Sequence, residues 1–354
     1  MKNACFIVVA VMLLLACQRN DSGVLSISID VSNNTQVCLS EIAEKVERVE
    51  LETTDKSLIR DIRHVEMINN QYFVRHGALD EVLMFDGNGQ FVKQVGRIGR
   101  GPGEYTGVLQ IAVDMENQRL LLNTREGIMV FDDTGAFVQN VQLDGLLGSP
   151  TSIFVHNKQL YCANRFFGPD GRSRDITVSL TTHNTADWKL VDSVFVTSYS
   201  GLIFFPFHLS QGKQNIYFHY IDLPNGSSGV DTLFVLKNRK LTPYLTTHFK
   251  GKKNGMDRIV MTDNYGIIKH STSVPDPDSK YGKTVYSQYY FNLNTMKGKN
   301  STNGFIDDFN GNNNVIITPI PNTNKFYYYI ENNDYSLDLK TMPNPTLYIG
   351  TFKK

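Results

Sequence analysis

Apolar and polar positions alternate in short runs along most of the chain, and each run ends at Gly, Asn or Asp. A period of two argues for half-buried strands closed by turns. Two stretches repeat this pattern in register. Val65 maps onto Ile111, Met67 onto Val113, Phe85 onto Phe131, Gly89 onto Gly135 and Phe91 onto Phe137, at a constant spacing of 46 residues. A fixed period of this size is the mark of a repeat architecture. Each unit opens with an apolar strand and a polar turn, followed by a second strand at 72–74 or 120–122. A third strand ends in Phe-Asp, and a turn carrying Gly leads to a fourth at 91–95 or 137–141. Four antiparallel strands make a propeller blade. One such sheet cannot cover both of its faces, and stacking it against copies of itself around a ring does.

Weaker copies follow. Residues 153–155, 159–163, 176–180 and 188–196 supply a third blade. A fourth draws on 215–220, 231–236 and 240–245, and a fifth on 258–262, 266–270 and 286–293. Phe305 with 315–318, 325–330 and 346–352 would give the last. Residues 25–31 read as a spare strand that closes the ring by pairing with the last blade, and 40–45 as a short helix capped by Ser40. The 331 residues from Val24 to Lys354, divided by the period of 46, allow six or seven blades.

The first residues have a different character. Met1-Lys2-Asn3 give a short positive start, and the next twelve residues, 4–15, are all apolar. A bilayer span takes roughly 20 apolar residues, so this run has the layout of a secretory signal. Leu14-Leu15-Ala16-Cys17 resembles the bacterial lipobox. That resemblance implies lipidation of Cys17 and removal of the preceding residues. The organisation expected is a lipoprotein signal peptide at 1–16, a lipidated tether at 17–23 and a propeller domain at 24–354. The product would be anchored by its lipid to the outer membrane, on its periplasmic or surface face. Cys5 leaves with the signal, so Cys38 and Cys162 remain. They are expected as two ordinary buried thiols, because nothing in the sequence brings them within bonding reach.

Between the two clear repeats lies Gly96-Arg97-Ile98-Gly99-Arg100-Gly101-Pro102-Gly103-Glu104-Tyr105. With the strand at Ile111 and the Phe131-Asp132 end, it resembles an NHL-type repeat. The chain is similar to the six-bladed propeller lipoproteins of gram-negative gut bacteria, which share the lipobox, this Gly-rich connector and a closing Asn-Pro-strand tail, here Asn344-Pro345-Thr346-Leu347-Tyr348-Ile349. The resemblance implies an all-β, six-bladed β-propeller of four-stranded antiparallel blades. It brings no activity with it.

Charge is balanced, at 35 basic and 35 acidic residues. A nucleic-acid partner is not expected, since phosphate neutralisation calls for a basic excess. The connector is the most specific candidate site. Arg97, Arg100, Glu104 and Tyr105 cluster there, at a rim where propellers commonly bind ligands. The alternative is a connector locked by an Arg–Glu pair and a packed Tyr. Tyr286, Tyr289, Tyr290, Tyr327, Tyr328 and Tyr329 lie near Asn292, Asn294, Asn322 and Asn324. Aromatic faces beside amides suit sugar recognition, although aromatics also fill sheet cores. The 307–312 turn is rich in oxygen ligands but lacks the spacing and final Glu of a calcium loop. The eight histidines, at 64, 76, 156, 183, 208, 219, 248 and 270, show no metal-binding spacing. Gly226-Ser227-Ser228-Gly229 is not a nucleophile elbow, and no phosphate or dinucleotide fingerprint is present. No cofactor and no catalytic residue are expected. The pattern points to a membrane-tethered binding or scaffold lipoprotein that recognises a glycan, peptide or envelope protein. The alternative is a metal-dependent propeller enzyme, lactonase- or lyase-like, with its ligands scattered around the central channel.

Overall fold

The computed structural model describes residues 18–19, 23–32, 35–77, 81–144, 146, 150–167, 175–200, 207–212, 215–220, 230–251, 254–276, 279–331 and 342–354. The signal peptide, Cys17, most of the tether and the 226–229 motif lie outside them.

Six four-stranded antiparallel blades form the body, and around the centre the first strands of blades six, one, two, three, four and five neighbour one another in that order. Blade one runs Ile62–Ile68, Gln71–His76, Glu81–Phe85, Phe91–Gln94. Blade two runs Val108–Asp114, Arg119–Thr124, Gly127–Asp132, Phe137–Val141. Ser152–His156 opens blade three, Phe207–Gly212 blade four, Asn254–Met261 blade five and Thr318–Ile320 blade six.

The core is divided among the gaps between blades, and each gap holds one apolar cluster. The 46-residue repeat is visible here. Val65, Met67 and Phe85 fill the gap between blades six and one, while Ile111, Val113 and Phe131 fill that between one and two. The turn chemistry repeats as well. Asp86 Oδ1 accepts the amides of Asn88 and Gln90, and Asp132 Oδ1 those of Thr134 and Ala136. Phe85 meets Phe91 edge-on at 5.8 Å, and Phe131 meets Phe137 at 5.6 Å.

Three local expectations are corrected. Residues 40–45 are not a helix. A single 3-10 turn, Leu39–Glu41, leads into the strand Ala43–Glu50. This strand is built from good helix formers, but pairing with Thr346–Phe352 supplies a complete hydrogen-bond ladder and overrides local propensity. It closes the ring as the outermost strand of blade six.

The strand expected to close the ring, here Leu25–Asp30, instead adds in parallel to Lys240–Lys250 of blade four. Its alternating Leu25, Ile27 and Ile29 are what the gap between blades four and five needs. Finally, the opening strand of blade six is Thr318–Ile320, because Asn314–Val315 pairs with Phe305–Ile306 in a separate hairpin. Phe207–Gly212 and Gly298–Ser301 were not anticipated. Both are short, and at least half of each is polar. Cys38 and Cys162 are free, the first half-buried and the second buried. No helix among the described residues is long and apolar enough to cross a membrane.

Candidate functional site

The connector is held by its own side chains. Arg97–Ile98 pairs in parallel with Glu104–Tyr105. Glu104 takes Arg97 Nε on Oε1 at 2.6 Å, and the amides of Arg100 and Gly101 on Oε2 at 2.8 Å each. These bonds, the Gly101 amide first and Arg97 next, hold its carboxyl below the usual range. A Cβ on Gly99 would lie 2.0 Å from Glu104 Oε2, so the carboxylate can enter the loop only because residue 99 has no side chain. Tyr105 is fully buried between blades one and two, with its hydroxyl donating to Val95 O at 3.1 Å. Of the four, Arg97 and Arg100 are exposed and Glu104 is half-buried.

The centre of the ring concentrates charge. His64 and Glu66, on the first strand of blade one, share a 2.9 Å hydrogen bond. Glu66 is 2% exposed and its Oε2 has no hydrogen-bond partner. Burial pushes its carboxyl above the usual range, against the pull of His64 and Arg258. Arg258, on the first strand of blade five, feels Glu66 and Tyr327. Burial and the Arg258 charge lower Lys269, and they hold His208 well below the usual histidine range. Tyr327 is pushed up to about 12 by burial.

Two cavities meet at Arg258. The larger, about 730 Å³, opens where the first strands of blades five, six and one converge. Arg63, Arg258, Lys269, Asn314, Tyr329 and Glu331 give it its chemistry. The smaller, about 140 Å³, lies among the first strands of blades three to six and includes Gln211 and Asn322. Arg258 contributes to both walls. Nearby, Asn322 crosses the axis from blade six to blade three, donating to Val155 O at 2.8 Å and contacting His156 Nδ1 at 3.3 Å.

Other expected features are distributed elsewhere. Tyr289, Tyr290, Tyr327 and Tyr328 are core residues, whereas Tyr286 is exposed and Tyr329 borders the large cavity. Asn292 caps a turn through the amides of Asn294 and Thr295, and Asn324 bonds Phe352 O. Asp307 is used within its own turn, accepting the amides of Phe309 and Asn310 on Oδ1 and the Tyr328 hydroxyl on Oδ2. Among the described residues no three His, Cys, Asp or Glu side chains converge as a metal site.

Sequence reasoning did not single out Arg258 or Lys269. A signal existed: they sit equidistant from the Asp263-Asn264 turn, so a hairpin about it makes them direct partners.

A family model described as a domain of unknown function (DUF4934) matches residues 23–347. No curated protein matches. Among solved structures, the chain is similar to a candidate exported protein from Bacteroides fragilis, at 14% identity and a TM-score of 0.65, covering 93% of this chain and 100% of that one. It is also similar to a member of the duf4221 family from Bacteroides vulgatus, at 12% identity and a TM-score of 0.53, covering 88% and 97%. At these identities the likeness establishes the shared fold.

Proposed function

Because the chain belongs to the DUF4934 family, whose description carries no activity, we propose from the site itself that it is an extracytoplasmic binding module. It would capture a small polar ligand, or the exposed end of a glycan, in the cleft at the ring's centre. One observation carries this reading. A cavity of about 730 Å³, within the range of small-molecule sites (roughly 300–1,000 Å³), brings cations, amides and tyrosine together where three blades meet. Six interlocked blades supply a rigid frame, which lowers the ordering cost of binding.

Tethering belongs to the same proposal. The lipobox-like Leu14-Leu15-Ala16-Cys17 would place an acyl anchor directly before the folded body. Each buried CH₂ contributes about 0.8 kcal/mol, so the two or three chains of a bacterial lipoprotein hold where one would not. A fold-mate described as a candidate exported protein is in keeping with that address. The exposed Arg97 and Arg100 of the NHL-like connector would act as a peripheral contact for a protein partner.

The test is a glycan and peptide binding screen of the full-length chain, purified in detergent, against Asn314→Trp. That ring would cover the cleft from an exposed hairpin position. A ligand whose affinity falls about tenfold or more in the variant supports the reading, and one that binds both proteins equally overturns the cleft as its site. Cys17→Ser is expected to move the protein from the membrane to the soluble fraction.

A second reading has a specific observation behind it. A carboxyl buried in a channel, pushed upward and bonded to a histidine, is the profile of a general acid. If the module is an enzyme, Glu66→Gln abolishes turnover and leaves ligand affinity near wild type.

A further inference from the structure

We propose that the ligand of the central cleft carries a carboxylate, seated between Arg258 and Lys269. This deepens the binding reading above and rests on it.

Arg258 and Lys269 are direct partners across the first hairpin of blade five. Like charges placed directly opposite on antiparallel strands repel. Here they do so partly out of water, where screening is weak. A fold normally relieves such a pair with an acid. The other cation of the cleft, Arg63, has one, since its Nε lies 2.6 Å from Asp61. Among the described residues neither Arg258 nor Lys269 has a carboxylate within ion-pair distance.

The two acids that could serve are otherwise placed. Glu66 is bonded to His64, and Glu331 is exposed at the cleft's edge. Arg258 Nε is buried with no hydrogen-bond partner, which leaves a guanidinium donor unfilled. Lys269 Nζ lies 4.9 Å over the Tyr286 ring, an interaction that steadies the ammonium without neutralising it. The arrangement is therefore a fixed pair of cations lacking one anion. A planar guanidinium matches the two oxygens of a carboxylate. Asn314 and Tyr329 on the same cavity wall would offer an amide and a ring to the rest of a small organic acid, such as a sugar acid.

The experiment uses the full-length chain in detergent, titrated calorimetrically with sodium glucuronate, with glucose as its uncharged counterpart and with sodium sulfate, all at matched ionic strength. Glucuronate is expected to bind at least about tenfold tighter than glucose. Lys269→Met should lose that preference while its heating midpoint without ligand is equal to or above wild type, because a repulsion has been removed. Lys269→Arg should keep the preference. If Lys269→Met binds glucuronate like wild type, if glucose binds equally well, or if glucuronate does not bind at all, the proposal is overturned. Tighter binding of sulfate overturns the carboxylate assignment in favour of a tetrahedral oxyanion. In each of these cases the broader reading is judged separately by the Asn314→Trp screen, so an uncharged ligand displaced there would sink the anion proposal alone.

Discussion

Single side chains in this protein are used twice over, as strand ends and as locks. Asp86 directly follows the third strand of blade one, Asp132 ends that of blade two, and both fold back to accept the amides of the following turn. Asp132 also takes the Thr134 hydroxyl at 2.6 Å. That hydroxyl first, then the Ala136 and Thr134 amides, hold its carboxyl below the ordinary range. A depressed folded-state value means that the protonated form is disfavoured on folding. The stability it confers is therefore complete at neutral pH and disappears as pH falls through the depressed value. Asp132→Ala is expected to cost about 1 kcal/mol near pH 7, modest because the turn is solvated, and less near pH 3, where part of the carboxylate's advantage has gone. Denaturant unfolding at the two pH values measures it. Glu104 is spent in the same way on Arg97 and on its own loop. The sequence allowed both the locked and the ligand-facing connector. What it could not reveal was that the carboxylate turns inward over Gly99, since that depends on a backbone path with room for it.

At the scale of the element, glycine and phenylalanine form a recurring pair. Gly266 faces Phe291 across blade five, and Gly350 faces Phe326 across blade six. In each case the ring covers the glycine so closely that a Cβ would meet it at 2.1 Å or 2.0 Å. Phe326 is fully buried against Phe352, at 4.9 Å, and has nowhere to retreat. Gly350→Ala should thus destabilise by about 1–3 kcal/mol, as overpacking does, measured by urea unfolding. Adding a methyl group to a strand would otherwise help slightly, so the sign of the effect is diagnostic. Elements with a strong period were legible. The strands of blades one and two needed only alternation and the Phe-Asp ending. Phe207–Gly212 and Ala43–Glu50 were not legible, because one is short and half polar while the other has the composition of a helix.

For the whole molecule, the decisive event is closure. Ala43–Glu50 reaches across from the N-terminal side to become the last strand of blade six, pairing Val49 with Leu347 and Val46 with Gly350. Val49, Leu347 and Ile349 then pack with Ile62, Val65 and Met67 of blade one, so the ring's two ends share one apolar cluster. Deleting residues 43–50 opens that gap. The heating midpoint should fall by more than about 10 °C, with a broader transition, in circular dichroism. The all-β ring, its repeat and its turn residues follow from local pattern alone, because alternation and turn chemistry act over a few neighbouring positions. The choice of closing strand, the parallel addition of Leu25–Asp30 and the placing of Arg258 where it feels Glu66 of blade one were settled only by tertiary structure. Each joins residues far apart in sequence or in different blades, and a contact of that kind leaves no periodic trace in the chain that forms it.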